Sequence, residues 1–229
     1  MKYEVKHNVM QSLEVQLNNG EELYTQAGGM AWMTDGIDME TTGKGGGVLG
    51  ALGRLASGSS LLLTTYKCTA PSGMITFTTD NPGKILPMQL APGQTLIAQR
   101  DTFLTAEPSV TFEATFTKKL STGFFGGEGF ILQKITGPGM FFAQIDGEVE
   151  EMTLQPGQIM RVHAGHIALF EPTVTYDIQM VKGLGNILFA GEGLFLATLR
   201  GPGQVWLQTM PISNLAAAIR QFIPTKSSN

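Results

Sequence analysis

APGQTLIAQRDTFLTAEPSVTFEATF at residues 91–116 and QPGQIMRVHAGHIALFEPTVTYDIQM at residues 155–180 decide the fold of this chain. The two stretches align without a gap at an offset of 64 residues. The features that coincide are their Pro-Gly-Gln turns, at 92–94 and 156–158, and their Glu-Pro steps, at 107–108 and 171–172. Because a period that survives at turn residues marks one supersecondary unit used repeatedly, we predict an internal repeat.

The same offset continues downstream of these stretches. Gly-Glu-Gly at 127–129 recurs at 191–193, and Gly-Pro-Gly at 137–139 recurs at 201–203. A more divergent first copy has Asn19-Gly20-Glu21 in the place of the Pro-Gly-Gln turn, at an offset of 73 residues from the second copy. The repeat therefore predicts three related units.

The predicted units divide the chain into four segments: residues 1–90 with a Gly-rich insertion, residues 91–153, residues 154–212, and a helix with a polar tail at 213–229. Each unit is small for an independent hydrophobic core. We therefore expect the three units to form one compact structure.

Alternating polar and apolar residues predict strands throughout the chain. Leu13-Glu14-Val15-Gln16-Leu17 is typical, and such stretches are bounded by Pro-Gly, Gly-Pro-Gly and Asp-Gly steps, which are turn signals. The predicted fold is all-β. One helix is expected at Leu215–Ile223, capped by Ser213 or Asn214 and ended by Pro224.

The charge and cysteine content narrow the classes of function and location. The net charge is −4 and no basic cluster occurs, so the electrostatic signature of a nucleic-acid-binding protein is absent. The amino terminus alternates polar and apolar residues, which is typical of a strand rather than of a secretory signal. With Cys68 as the single cysteine, we expect a reducing, cytoplasmic environment.

Several of these motifs together resemble one protein family. They are GGMAWMTDGIDM at residues 28–39, the Gly-rich insertion that ends in Ser57-Gly58-Ser59-Ser60-Leu61, the Pro-Gly turns at 82–83 and 92–93, and the paired Gly-Glu-Gly and Gly-Pro-Gly steps. The chain is similar over almost its whole length to bacterial proteins related to the altered-inheritance-of-mitochondria proteins. That resemblance implies three β-sandwich or double-stranded β-helix units like the tryptophan-RNA-binding attenuation protein, about a pseudo-threefold axis. It implies no enzyme activity.

No group of residues predicts catalysis or metal binding. His163, His166 and Glu171 approach a cupin-like metal pattern, but strand alternation would place the two imidazoles on opposite faces. The lysine of Gly43-Lys44-Gly45 stands among the glycines, whereas a phosphate-binding loop needs it at their end. We therefore predict a protein that is not an enzyme, with no catalytic residue, no metal ligand and no cofactor.

A glycine-punctuated apolar loop lies between the two halves of each predicted unit. The large apolar residues of the three loops are Val48, Leu49, Leu52, Leu55, Phe124, Phe125, Leu184, Leu188 and Phe189. Exposed apolar residues on adjacent loops are typical of a contact surface. The alternative is that these loops fold back and cap the core.

Two functional hypotheses follow. The first is a non-enzymatic binding or scaffold protein that presents the apolar loop face to a protein partner, to a further copy of itself or to a membrane-associated partner. The second is a small-molecule-binding protein that uses pockets between the units. Nucleic acid is not an expected partner in either case.

Overall fold

A computed structural model describes residues 1–26, 29–42, 63–118, 130–180, 195–220 and 222–223 of the chain. The strands of these residues are β1 Lys2–Lys6, β2 Ser12–Asn18, β3 Glu22–Gln26, β4 Met30–Met33, β5 Ile37–Thr42, β6 Leu63–Cys68, β7 Ser72–Thr78, β8 Gly83–Leu90, β9 Thr95–Gln99, β10 Phe103–Ala106, β11 Thr111–Lys118, β12 Phe130–Thr136, β13 Gly139–Asp146, β14 Val149–Leu154, β15 Ile159–His163, β16 Ile167–Phe170, β17 Thr175–Met180, β18 Phe195–Arg200 and β19 Gly203–Gln208. Two 3₁₀ turns, Arg100–Thr102 and Ala164–His166, and one helix, α1 at Ile212–Arg220, complete the described structure.

The strands form where the sequence alternates. In β2, Leu13, Val15 and Leu17 are completely buried, whereas Glu14 and Gln16 lie between them on the other face. Successive side chains of a strand point to opposite faces of the sheet, so this pattern buries one face. The all-β prediction with one short carboxyl-terminal helix is confirmed.

Antiparallel pairing arranges the described strands in four sheets. Sheet A has the order β1-β2-β7-β4 and sheet B the order β5-β6-β3-β10-β13-β8. Sheet C has the order β11-β12-β9-β16-β19-β14, and sheet D has the order β15-β18-β17. The division of the chain into three units and their pseudo-threefold arrangement stay predictions.

Three hydrophobic cores lie between the four sheets. One core joins side chains of sheets A and B, the second joins B and C, and the third joins C and D. Consecutive residues of β3 show this arrangement, because Leu23 packs in the first core and Tyr24 in the second, and both are completely buried. The sheets therefore stack in the order A, B, C, D, and the two central sheets are covered on both faces.

The two Pro-Gly turns from which we predict the repeat have the same local structure. At the first turn, Gln94 N–H donates to the carbonyl of Ala91 at 3.0 Å, and Ala91 N–H donates to the Gln94 side chain at 2.9 Å. The bonds between Gln158 and Gln155 at the second turn both measure 2.9 Å. Gly93 and Gly157 have φ angles of 76° and 77°, in the left-handed region that favours glycine.

Glu107 and Glu171 join each Glu-Pro step to the Gly-Pro-Gly step that follows it. The carboxylate of Glu107 accepts the N–H of Met140 at 2.7 Å, and that of Glu171 accepts the N–H of Gln204 at 2.8 Å. The glycine before each of these donors has positive φ, 135° at Gly139 and 145° at Gly203. The two motifs are therefore one structural device, in which a carboxylate is held against backbone that only glycine adopts easily.

Two elements differ from the prediction. The amino terminus forms two antiparallel strands, β1 and β2, because His7 takes a left-handed φ of 70° and reverses the chain. Helix α1 begins at Ile212 and not after Ser213 or Asn214, because a carboxylate from a remote part of the chain, Asp146, accepts its first N–H.

Replacement of Glu171 by alanine is expected to lower the free energy of unfolding by about 1–2 kcal/mol, because the N–H of Gln204 loses a charged acceptor. Glu171→Gln keeps an acceptor oxygen and should lose less. Urea unfolding measures both values. Glu150→Ala, on the exposed part of β14, is the control and should change little. Equal losses in Glu171→Ala and Glu150→Ala would contradict this role.

Candidate functional site

The strand registers bring three hairpin openings to one end of the molecule, which we call the junction end. The hairpins β5/β6, β11/β12 and β17/β18 open at the pairs Thr42↔Leu63, Lys118↔Phe130 and Met180↔Phe195. Each opening lies beside the last residue of β3, β9 or β15, namely Gln26, Gln99 or His163. Strand β10 follows β9 in the chain and runs antiparallel to β3, so β9 ends where β3 ends. In the same way β16 follows β15 and runs antiparallel to β9, so β15 ends there too.

The apolar loops predicted from the sequence connect these same hairpins. Their residues, Val48, Leu49, Leu52, Leu55, Phe124, Phe125, Leu184, Leu188 and Phe189, lie outside the described part of the chain. The strands that flank the loops nevertheless end together at the junction end. Whether the loops form a contact surface or cap the core stays a prediction.

Helix α1 lies at the junction end as well. Its first N–H, from Ile212, donates to the carboxylate of Asp146 at 2.9 Å. The side-chain amide of Asn214 lies 3.4 Å from Nε2 of His166, in the 3₁₀ turn that follows β15. These contacts attach the start of the helix beside the hairpin β17/β18.

The helix presents an apolar stripe that the described structure does not bury. Ile212, Leu215 and Ile219 follow the i, i+3, i+7 spacing of one helical face, and Phe222 and Ile223 come just beyond. Ile219 is 50% exposed and Phe222 is 81% exposed. No residue of the helix is buried. Exposed large apolar side chains in one stripe are typical of a contact surface.

Asp146 connects the helix to the β13–β14 turn. Besides Ile212, its carboxylate accepts a hydrogen bond from the Asn81 side chain at 3.2 Å, while its own N–H donates to Gln208 at 3.1 Å. Burial raises the pKa of this carboxyl above its ordinary value. Sequence reasoning missed Asp146 because it lies far from the helix along the chain. The signal available was the Pro at position 211, which leaves the helix start without a side-chain cap of its own.

The two histidines are neighbours, contrary to the prediction from strand alternation. Their ring centroids lie 5.8 Å apart in an edge-to-face arrangement. The alternation argument fails because β15 ends at His163 and a 3₁₀ turn, Ala164–His166, returns the chain toward it. The prediction that neither residue binds a metal ion therefore loses this argument and stays a prediction.

Polar groups lie beside both ring nitrogens of His166. Nδ1 lies 2.8 Å from the carbonyl of Gln208, so this nitrogen is the donor. Nε2 lies 3.4 Å from the side-chain amide of Asn214. Burial, and to a smaller degree the charge on His166, lowers the pKa of His163 below its ordinary value.

The described residues contain no group of three or more His, Cys, Asp or Glu side chains placed to hold a metal ion. Cys68 is completely buried in β6, and its thiol lies 3.3 Å from the carbonyl of Ala70. Among these residues no helix is both long and apolar enough to cross a membrane. The junction end thus combines a partly buried polar cluster with a helix whose apolar stripe is exposed.

Comparison with known proteins covers nearly the whole chain. Residues 3–210 match the model of the family described as Mitochondrial biogenesis AIM24. An uncharacterized protein of Streptococcus pyogenes serotype M6 is 27% identical over 223 residues, covering 94% of this chain and 88% of the relative. An X-ray crystal structure of a Streptococcus pyogenes protein is similar with a TM-score of 0.76 at 23% identity, covering 97% of this chain and 99% of that one. This last likeness shows the fold alone.

Replacement of Asp146 by alanine is expected to destabilise the protein by about 1 kcal/mol, because helix α1 loses the acceptor at its first N–H. Asp146→Asn keeps an acceptor oxygen and has no charge to bury, so it should lose less. Urea unfolding, with hydrogen exchange of residues 212–220, measures both effects. The exposed Asp38→Ala is the control. Unchanged exchange in the helix of Asp146→Ala would contradict the capping role.

Acidification is expected to destabilise the protein through His163. A base whose pKa is lowered on folding contributes stability that is present above its unfolded pKa, near 6.5, and is lost as the pH falls. The melting temperature should therefore drop between pH 7.5 and pH 5.5. His163→Gln, which introduces the residue found at the equivalent position 99, should show a smaller drop. An equal drop in both proteins would exclude His163 as the cause.

Proposed function

For this chain, which belongs to the mitochondrial biogenesis AIM24 family, we propose a non-enzymatic binding role, in which the junction end presents an apolar surface to a protein partner. The observation that carries this proposal is the exposed stripe of helix α1 at the end where all three long hairpins open. Apolar residues in water forgo the stabilisation that burial provides, roughly 1.5–3 kcal/mol for each large side chain. A partner that covers the stripe supplies this stabilisation.

The attachment of the helix suits a docking element. Asp146, His166 and Pro211 hold the start of α1 against the β-structure, whereas its carboxyl-terminal half carries the most exposed apolar residues. An amphipathic helix of this kind binds an apolar groove of a partner protein through residues spaced i, i+3 and i+7. The helix is therefore positioned at its start and exposes its apolar residues toward its other end.

The charges at the junction end favour a protein over a lipid surface. A helix that lies on an anionic membrane carries Lys and Arg along its polar face. The polar face of α1 supplies only Arg220. Of the exposed acidic residues nearby, Asp101 pairs with Arg100 and Glu148 pairs with Lys84, which leaves Asp80. With so little basic charge the helix gains little from anionic lipid headgroups, so an apolar groove of a protein is the complementary partner surface.

The non-enzymatic part of the proposal rests on the sequence. It contains no nucleophile in an elbow context, and its three histidines form no Ser-His-acid set. The predicted apolar loops extend the proposal, because their flanking strands end at the same place as α1. The surface would then consist of the helix stripe and the three loops together.

The double variant Ile219→Ser/Phe222→Ser is expected to abolish capture of the partner without a change in melting temperature, because both side chains are exposed. Leu49→Ser/Leu52→Ser should weaken capture in the same way if the loops belong to the surface. If those loops cap the core, it should instead lower stability by several kcal/mol. The measurement is affinity capture from lysate with quantitative mass spectrometry, beside thermal melts.

Ala217→Ser, an exposed substitution on the same helix, is the matched control and should capture the partner as the wild type does. Flotation with vesicles of neutral and of anionic lipid tests the lipid alternative. Identical captured proteins with Ile219→Ser/Phe222→Ser and with the wild type would contradict the proposal, and so would binding to anionic vesicles that the double variant abolishes.

A further inference from the structure

The described strands form six sets of three, and two pairing orders each occur three times among them. The sets β2-β7-β4, β8-β13-β10 and β14-β19-β16 have one order, and β5-β6-β3, β11-β12-β9 and β17-β18-β15 have the other. Both orders recur at corresponding places in the chain. The inner strands of the first kind are β4, β10 and β16, and those of the second kind are β3, β9 and β15.

Two joins between these sets build the central sheets. In sheet B, β3 pairs with β10 at Tyr24↔Ala106, and in sheet C, β9 pairs with β16 at Ile97↔Phe170. Each join uses one inner strand of each kind. Among the described residues the third pair of inner strands, β15 and β4, is not joined, and each forms the edge of its own sheet.

Burial distinguishes the joined strands from the two edges. All four residues of β10 and of β16 are buried, whereas no residue of β4 is buried. Likewise β9 is buried over four of its five residues, and β15 over none. Each edge exposes a large apolar residue, since Trp32 in β4 is 53% exposed and Ile159 in β15 is 49% exposed.

Strands β15 and β4 of one chain do not meet in the described structure. Each core links neighbouring sheets in the order A, B, C, D, and no core of the described residues contains side chains from both A and D. Strands β4 and β15 thus belong to the two outer layers of the stack, with sheets B and C between them. The unpaired β4 of one molecule therefore matches the unpaired β15 of another molecule.

The sequence of β4 lacks the usual protection of a sheet edge. Edge strands are commonly guarded by charged residues or proline. Strands β1, β5, β8, β11, β14 and β17 each carry at least one Asp, Glu or Lys, and β8 also carries Pro87. Strand β4, MAWM, has no charge and no proline. It is the one edge strand of the described structure that is open to pairing without an electrostatic obstacle.

We propose that copies of this chain associate head to tail, with β15 of one copy paired antiparallel to β4 of the next. The join repeats those between β3 and β10 and between β9 and β16. It unites sheet D of one copy with sheet A of the other in a seven-stranded sheet, β17-β18-β15-β4-β7-β2-β1.

The repeat also gives the register of this join. Moving Ile97 forward by the 64-residue offset gives Arg161. Its partner Phe170 corresponds to Ala106, and moving Ala106 back by the 73-residue offset gives Met33. The pair is therefore Arg161↔Met33, followed by Val162↔Trp32. Arg161 then lies diagonally across from Asp35, within the range of cross-strand charge pairs.

The interface is heterologous, because each copy contributes a different surface to each side. After one pairing, one copy keeps a free β4 and the other keeps a free β15, so assembly continues until the chain of copies closes. The surface is separate from the stripe of helix α1. A variant can consequently lose self-association and keep partner capture, or lose partner capture and keep self-association.

The test is the mass of the full-length protein by sedimentation velocity over a concentration series. The wild type should show species at multiples of 24.6 kDa that grow with concentration. Trp32→Glu blocks β4 by placing an unpaired carboxylate in the join, and Ile159→Glu/Arg161→Glu blocks β15 by facing Asp35 with like charge. Each variant alone should remain a monomer with the melting temperature of the dilute wild type.

An equimolar mixture of the two variants gives the decisive result. The intact β15 of the first variant can pair once with the intact β4 of the second, so the mixture should form a dimer of twice 24.6 kDa and nothing larger. Met39→Glu, at a residue 54% exposed on the edge strand β5, is the control and should assemble as the wild type does. Ile219→Ser/Phe222→Ser should assemble too.

Three results would overturn the proposal. The first is a wild type that remains a monomer at the highest soluble concentration. The second is an assembly that persists in both edge variants, and the third is a variant mixture without the dimer.

Discussion

The pairing of β3 with β10 and of β9 with β16 is the interaction on which the rest of the structure depends. These two joins produce the central sheets, and each central sheet is buried on both faces by its neighbours. A strand buried on both faces needs apolar or hydrogen-bonded residues at every position. Tyr24 and Thr25 meet that requirement, because the Tyr24 hydroxyl donates to the Val110 carbonyl at 2.9 Å and the Thr25 hydroxyl to the Leu104 carbonyl at 2.6 Å.

The two ends of the molecule have different physical characters. One end carries the Pro-Gly turns, which Gln94 and Gln158 close, and the Gly-Pro-Gly steps, to which Glu107 and Glu171 bond through short hydrogen bonds to backbone. The junction end carries 3₁₀ turns, a partly buried carboxyl at Asp146, two adjacent imidazoles and a helix with an exposed apolar face.

Local patterns predicted the fold well, and long-range contacts account for what they missed. Alternation and turn residues are properties of neighbouring positions, so the strands and the matching turns at Gly93 and Gly157 were accessible from the sequence. The start of α1 was not, because its acceptor is on Asp146, 66 positions away. The proximity of His163 and His166 was missed because a three-residue turn replaces strand there. The apolar loops remain predictions, and the exposed stripe of α1 is the part of the candidate site that the structure adds.

Hydrogen exchange of the wild type at low concentration tests the central claim most directly. If two joins hold the molecule and two edges are open, the N–H groups of β3, β9, β10 and β16 should exchange most slowly. Strands β4 and β15 each have one paired neighbour. Their N–H groups on the opposite, outer edge should exchange faster by orders of magnitude. Equal protection of all six strands in the dilute monomer would show that β4 and β15 are joined within one chain, and would contradict the account.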